Sequence, residues 1–194
     1  METFEEGTDT FKCESAWSHI LESLHIDLDD PNFVETPKRI TKMYKEIFAG
    51  LRPECMEELN EHLSKTFPCS NDEMVTITGV ETWSMCPHHF LPVHYWVDVA
   101  YIPKDKVLGV SKLPRVVELL AKRPVLQEQY TQDIVDYLEK TLTPRGVAVK
   151  VQGVHLCMVM RGIKSFNSKV ITSAMTGGFK DNLISKQEFL QFVS

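Results

Sequence analysis

Two short segments hold most of the metal-seeking chemistry of this 194-residue chain, Cys86-Pro87-His88-His89 and, well downstream, His155-Leu156-Cys157. Together they offer two thiolates and three imidazoles. A structural zinc site closes with four such ligands, whereas a catalytic one takes three and keeps a position open. Cys86 and His89 stand three apart around a proline-containing turn, a separation that brings a thiolate and an imidazole onto one ion. His88 is expected to point elsewhere than His89 while staying near. His155 and Cys157 are two apart on an expected strand, whose period of two puts both on one face. Two readings follow: a structural clip closed by Cys86, His89, His155 and Cys157, or a catalytic centre in which some histidines are left to move protons.

Phosphate- and base-reading groups elsewhere in the chain favour the second. Gly109-Val110-Ser111-Lys112-Leu113-Pro114-Arg115 reads as a strand-to-helix turn with a serine at the helix start and two cations in the first turn. Cations there oppose the helix dipole, which a bound polyanion would explain. Arg161-Gly162, directly after the His-x-Cys segment, adds a fork-shaped cation suited to phosphate. Gln127-Glu128 opens another helix, and a carboxylate there can accept two N–H donors from the edge of a guanine. Each motif alone also fits an ordinary cap or a solvated charge.

The elements that must position these residues are read from periodicity. Apolar spacing predicts helices over residues 11–28, 36–50 (with Thr36 as hydroxyl N-cap and Pro37 behind it) and 55–65. Strand texture follows at 74–80, 83–86 and 93–102, helices at 111–122 and 127–141, then strands at 147–151 and 154–160 and a closing helix at 186–192. Gly153, between the last two strand stretches, is expected to form a bulge. This order is α+β: an antiparallel four-stranded sheet with helices on one face, preceded by an N-terminal helical segment over 1–66. Residues 67–194 carry the site as one structural unit. Long open strand edges predict edge-to-edge joining of copies into a closed barrel.

Composition narrows the function classes. With 43% hydrophobic and 25% charged residues the chain can bury a real core. A net charge of -6 argues against a protein that coats nucleic acid. The longest apolar runs are too short for a membrane span, and the acidic start Met1-Glu2-Thr3-Phe4-Glu5-Glu6 is unlike a secretory signal, so the cytoplasm is the expected location and no membrane partner is expected. The five cysteines lack the spacing of a disulfide scaffold; Cys13, Cys55 and Cys69 read as incidental or buried thiols.

Taken in order, Thr36-Pro37-Lys38-Arg39, Cys86-Pro87-His88-His89, Ala100-Tyr101-Ile102-Pro103, Gly109 to Arg115, Arg123-Pro124-Val125-Leu126-Gln127-Glu128, Val154 to Gly162, Asn167 to Ser173 and Glu188-Phe189-Leu190 closely resemble GTP cyclohydrolase I. The resemblance runs from about Asp29 to the C-terminus. It implies the tunnelling fold and conversion of GTP and water to 7,8-dihydroneopterin triphosphate and formate, the first step of pterin and folate (or deazaguanine) formation. It implies Zn²⁺ on Cys86, His89 and Cys157, which leaves His88 and His155 for proton transfer, with Ser111 acting near the ribose. Gln127 and Glu128 would hold the guanine, and Lys112, Arg115, Arg161 and Arg39 the triphosphate. Family members are toroidal homodecamers with sites built between neighbouring subunits, so the implied partners are GTP and further copies of the chain. The alternatives are a sister tunnelling-fold enzyme acting on another purine or pterin, against which the cluster Ser111, Lys112 and Arg115 stands, and a catalytically silent zinc scaffold, against which the retained His88 and His155 stand. This chain departs from the family at Pro87, where glutamate is usual, and in Leu91-Pro92-Val93-His94-Tyr95-Trp96, which is bulkier than the glycine-containing family form; His94 reads as a rim histidine.

Overall fold

The computed structural model describes residues 9–194, and the chain divides after Arg52 into two compact units. The first carries α1 (Thr10–Ser23) and α2 (Thr36–Ile47). Asp9 caps α1 by accepting from the Lys12 amide, and Trp17 stacks on Tyr44 at 5.6 Å between the two helices. Helix α1 ends earlier than its apolar spacing predicts, because His25 adopts a positive φ of 61° and the Ile26 amide turns back to Leu21. Thr36 is not the cap of α2. It is the first helical residue, and Glu35 precedes it without a side-chain cap bond.

The second unit opens with α3 (Cys55–Ser64), followed by β1 (Thr66–Pro68), β2 (Val75–Met85), β3 (Pro92–Ile102) and β4 (Lys106–Leu108). Next come α4 (Lys112–Ala121), α5 (Gln127–Leu142), β5 (Gly146–His155), the short α6 (Leu156–Val159), β6 (Val170–Met175), α7 (Gly177–Asp181) and α8 (Leu183–Phe192). The main sheet has four antiparallel strands in the order β2-β3-β5-β6, and β1 and β4 form a separate ribbon. Alternation along β3 buries Val93, Tyr95, Val97, Val99 and Tyr101 against α4 and α5, whose Val116, Val117, Ile134 and Leu138 complete the core. At about 1.5–3 kcal/mol for each large apolar side chain buried, this layer supplies most of the drive for folding the unit. Ala100 and Ala148 face the other way and are covered by Phe179 of α7 and Phe189 of α8.

Four expectations are corrected. The stretches at 74–80 and 83–86 are one strand, with a register shift between Ile77 and Val80 where Gly79 takes φ +68° and donates to the Asp98 carboxylate. Gly153 is no bulge: it pairs in unbroken register with Tyr95. Strand β5 stops at His155 rather than running to 160, since its last partner is Val93 and the neighbouring chain beyond it is Pro92, which has no N–H to give. The fourth strand is therefore β6, from a segment that periodicity did not mark as a strand.

Tyr101 links the sheet to the next functional turn. Its hydroxyl accepts from the buried Leu108 amide at 3.0 Å, holding β4 directly ahead of Gly109 and α4. Tyr101→Phe strands that N–H, and we expect a loss of about 1–3 kcal/mol in a urea titration; an unmoved midpoint would refute this account of the link.

Candidate functional site

The β2–β3 loop and the end of β5 meet at one edge of the sheet. Ser84, Val93 and His155 form one rung across β2, β3 and β5. Both outer strands run antiparallel to β3, so Cys86 and Cys157 each lie two residues beyond that rung on the same side. Strands two apart in a sheet are separated by about 10 Å, too far for two sulfurs to share an ion. Here the sulfurs are 3.8 Å apart, because both chains leave the strand conformation at that point. Cys86 enters a turn closed by its own carbonyl accepting from Phe90 N and its amide donating to Leu91 O, each at 2.9 Å. Pro87 stands in that turn where no donor is needed, so a proline at this position costs no hydrogen bond. On the other side Cys157 lies in the first turn of α6, which folds back over the sheet end.

His89 Nδ1 lies 3.8 Å from Cys86 Sγ, and the ligand atoms of Cys86, His89 and Cys157 all fall within 4.8 Å of one another. His88 Nδ1 is equally close to the Cys86 sulfur, at 3.8 Å, so His88 stays near; its ring stands at 71° to that of His89, and it does not join Cys157 in the common set. Burial raises the Cys157 thiol above its usual range, the hydrogen bond and charge of Cys86 add to this, and Arg161 opposes it. Two adjacent cysteine sulfurs beside an imidazole form a donor set suited to a thiophilic divalent cation. The residues present therefore fit a three-ligand metal.

His155 is half-buried at the strand end, with Tyr95 edge-on to it at 6.3 Å between centroids. Burial holds its imidazole below the usual histidine range, and the Glu128 carboxylate opposes that shift. Glu128 reaches this region because the α4–α5 connection is tied to β2: Pro124 bridges Met85, Val125 N donates to Met85 O, and Ser84 Oγ donates to Arg123 O at 3.0 Å. The two members of the Gln127-Glu128 pair face different ways. Glu128 is exposed, whereas Gln127 is 2% exposed and its amide is engaged by Val151 O, Val170 O, Thr172 and His155.

Ser111 precedes α4 without a side-chain cap bond and is exposed, so its hydroxyl is not spent on its own helix. Lys112 is partly buried in the first turn and Arg115 is exposed; Arg161 is exposed just past α6. Among the described residues, no carboxylate lies within ion-pair distance of these three cations. Arg39 is exposed on α2, in the unit that ends at Arg52. His94 stacks on Trp83, meets Trp96 at a 47° tilt and contacts Glu81 at 3.0 Å, on strand positions alternate to the buried ones of β3. Sequence reasoning missed Thr131, Thr172 and the true role of Gly153. The one available signal was a glycine set opposite the bulky 91–96 segment, a large-to-small pairing across two strands.

The GTP cyclohydrolase I family model matches residues 13–194. A GTP cyclohydrolase 1 of Carboxydothermus hydrogenoformans is 44% identical over 186 residues, covering 95% of each chain. Another, of Bacillus subtilis, is 41% identical over 181 residues, covering 93% of each. Among solved structures, the apo form of the archaeosine synthase QueF-Like aligns with a TM-score of 0.46 at 22% identity, over 57% of this chain and 98% of that one.

The donor set gives a direct test. Purified chain is expected to carry about one divalent metal per subunit, and Cys157→Ala to lose nearly all of it by elemental analysis while keeping its far-UV circular dichroism. Full metal content in that variant would remove Cys157 from the set.

Proposed function

The chain belongs to the GTP cyclohydrolase I family, converting GTP and water to 7,8-dihydroneopterin triphosphate and formate, and we propose the following division of labour among its residues. Cys86, His89 and Cys157 hold Zn²⁺, the ion that two thiolates and an imidazole favour. When bound, the metal supplies activation of water for attack on C8 of the guanine. The observation that carries this reading is the convergence of the Cys86, His89 and Cys157 ligand atoms within 4.8 Å, at the sheet edge where β5 ends in His155.

His155 protonates the purine ring nitrogen as its bond to C8 breaks, and His88, beside Cys86, assists the movement of protons. Glu128 accepts the N–H donors on the guanine edge, a role its exposed carboxylate supports. Lys112, Arg115 and Arg161 bind the triphosphate. Cations in the first turn of α4 oppose the helix dipole and, among the described residues, have no carboxylate within ion-pair distance, an arrangement that a polyanionic substrate offsets. Ser111, next to them, moves a proton at the ribose during ring opening and reclosure.

The working form is a homodecamer. Support comes from β2 and β6, which end the sheet as open edges, and from the exposed apolar residues Ile163, Phe166, Ile171, Leu183 and Ile184. No helix among the described residues is long and apolar enough to cross a membrane, and the reaction is assigned to the cytoplasm.

Two variants separate the roles. His155→Ala is expected to slow formate release about 10²- to 10⁴-fold with a small change in KM for GTP. Arg115→Ala is expected to raise KM, more so at low salt, with kcat largely kept. Rapid turnover by His155→Ala would remove it as the proton donor, and an unchanged KM in Arg115→Ala would remove that residue from the triphosphate site. Light scattering is expected to give a mass near that of ten chains; a monomer would defeat the assembly.

A further inference from the structure

Gln127 sits in the first turn of α5 with its side chain sealed beneath the sheet edge. Its Nε2 lies 3.1 Å from the carbonyl of Val151 on β5 and 3.0 Å from that of Val170 on β6. Backbone carbonyls only accept, so the amide nitrogen must face them; reversing the amide would set oxygen against two oxygens. The Thr172 hydroxyl, 3.2 Å from the same nitrogen, fits this orientation. Thr131 spends its proton on the Gln127 main-chain carbonyl at 2.7 Å, so the 2.6 Å contact between Thr131 and Thr172 is donated by Thr172, whose lone pair is left to share one of the two Gln127 amide hydrogens with a neighbouring carbonyl.

With the nitrogen fixed, Oε1 is the atom that meets His155 Nε2 at 2.9 Å. An amide oxygen cannot donate, so His155 must carry its hydrogen on Nε2. A neutral imidazole has one N–H, and its lone pair therefore lies on Nδ1. Gly153 is what allows this contact: a Cβ there would fall 2.4 Å from Gln127 Oε1 and 2.8 Å from the Tyr95 ring. Only a residue without a side chain lets the amide and the tyrosine ring meet over β5.

We propose that Gln127 is a positioning residue which, through the gap at Gly153, holds His155 as the Nε2–H tautomer and so makes Nδ1 the nitrogen that exchanges protons with the substrate. The proposal rests on the reading of His155 as the proton-transfer group. As the water oxygen bonds to C8, the C8=N pair moves to that ring nitrogen, and Nδ1 carries a proton from the water to it. When the other C8–N bond breaks, the C8–OH becomes a carbonyl and releases its proton, which Nδ1 carries to the departing nitrogen. The bond's electron pair goes to that nitrogen, and the imidazole returns to its neutral form with Nε2–H still on Gln127.

Neutron diffraction from crystals of the metal-loaded protein at about pH 8.5, about two units above the usual histidine value, reads the tautomer without any substitution. Deuterium on Nε2 and none on Nδ1 is expected; deuterium on Nδ1 alone overturns the proposal. In solution, Gln127→Met keeps the volume and removes the acceptor. Its kcat for formate release is expected to fall about 10- to 100-fold, while KM for GTP moves less than about threefold and metal content stays at the wild-type level. Gly153→Ala, which displaces the same amide from the strand side, should give the same split. A folded Gln127→Met with unchanged kcat, or with raised KM and intact kcat as for a residue that grips guanine, overturns the proposal. Wild-type protein that releases no formate from GTP would instead defeat the assigned reaction, leaving the tautomer to be judged by diffraction alone.

Discussion

The site depends on the register of β3 against both of its neighbours. Because Val93 pairs with Ser84 on one side and His155 on the other, β2 and β5 end level with each other. The two cysteines leave the sheet at the same height. Sliding either strand by one residue would turn its buried face outward, so the apolar alternation Val93, Tyr95, Val97, Val99 and Tyr101 guards the metal site from a distance. Stability and site geometry are here the same constraint.

That register alone would still hold the sulfurs apart. Closing two strand spacings requires both chains to abandon the sheet within two residues of the rung, through the turn at Cys86 and through α6 at Cys157. The end of β3 at Pro92 makes this inexpensive. A strand with no donor opposite it has nothing to lose by turning into a helix. His155 stays on the last rung, aligned by the sheet, while Cys157 swings in to join Cys86 and His89. The one His-x-Cys segment thus serves two purposes because the secondary structure changes inside it.

Behind the Cys86, His89 and Cys157 cluster lies a polar layer whose amide and threonine hydroxyls are engaged, while the buried Tyr95 hydroxyl beside it has no partner among the described residues. Gln127 joins α5 to β5, β6 and His155, and Thr131 and Thr172 complete the chain of donors. Buried polar groups are tolerated when every donor and acceptor is matched, and a matched network resists rearrangement. The stacked pair Tyr95 and Tyr130, with the Tyr130 hydroxyl donating to Val117 O, walls off the same region from α4. Bulk at Tyr95 is accommodated by the absence of bulk at Gly153, which is how the heavier 91–96 segment fits without pushing His155 aside.

Much of this was legible in the order of residues. Most helix positions, the β3 alternation, the pool of candidate metal donors (Cys86, His89, His155 and Cys157) and the cations ahead of α4 follow from local periodicity and side-chain chemistry, which act within a few residues and so are written along the chain; the choice of three donors from that pool came from the resemblance, not from spacing. The fourth strand, β6, was not legible, because its pairing with β5 is a contact across the sheet that its own composition does not announce. Gly153 looked like a bulge for the same reason. A glycine in a strand signals either a kink or a close neighbour, and which of the two applies depends on what folds against it. The sequence by itself determined which atoms could bind a metal, move a proton or meet a phosphate. Tertiary structure decided that Cys157 leaves the strand that His155 ends, and that Gln127 turns inward while Glu128 faces out. Those choices depend on hydrogen-bond partners supplied by segments remote in the chain, and such partners exist only once the sheet has formed.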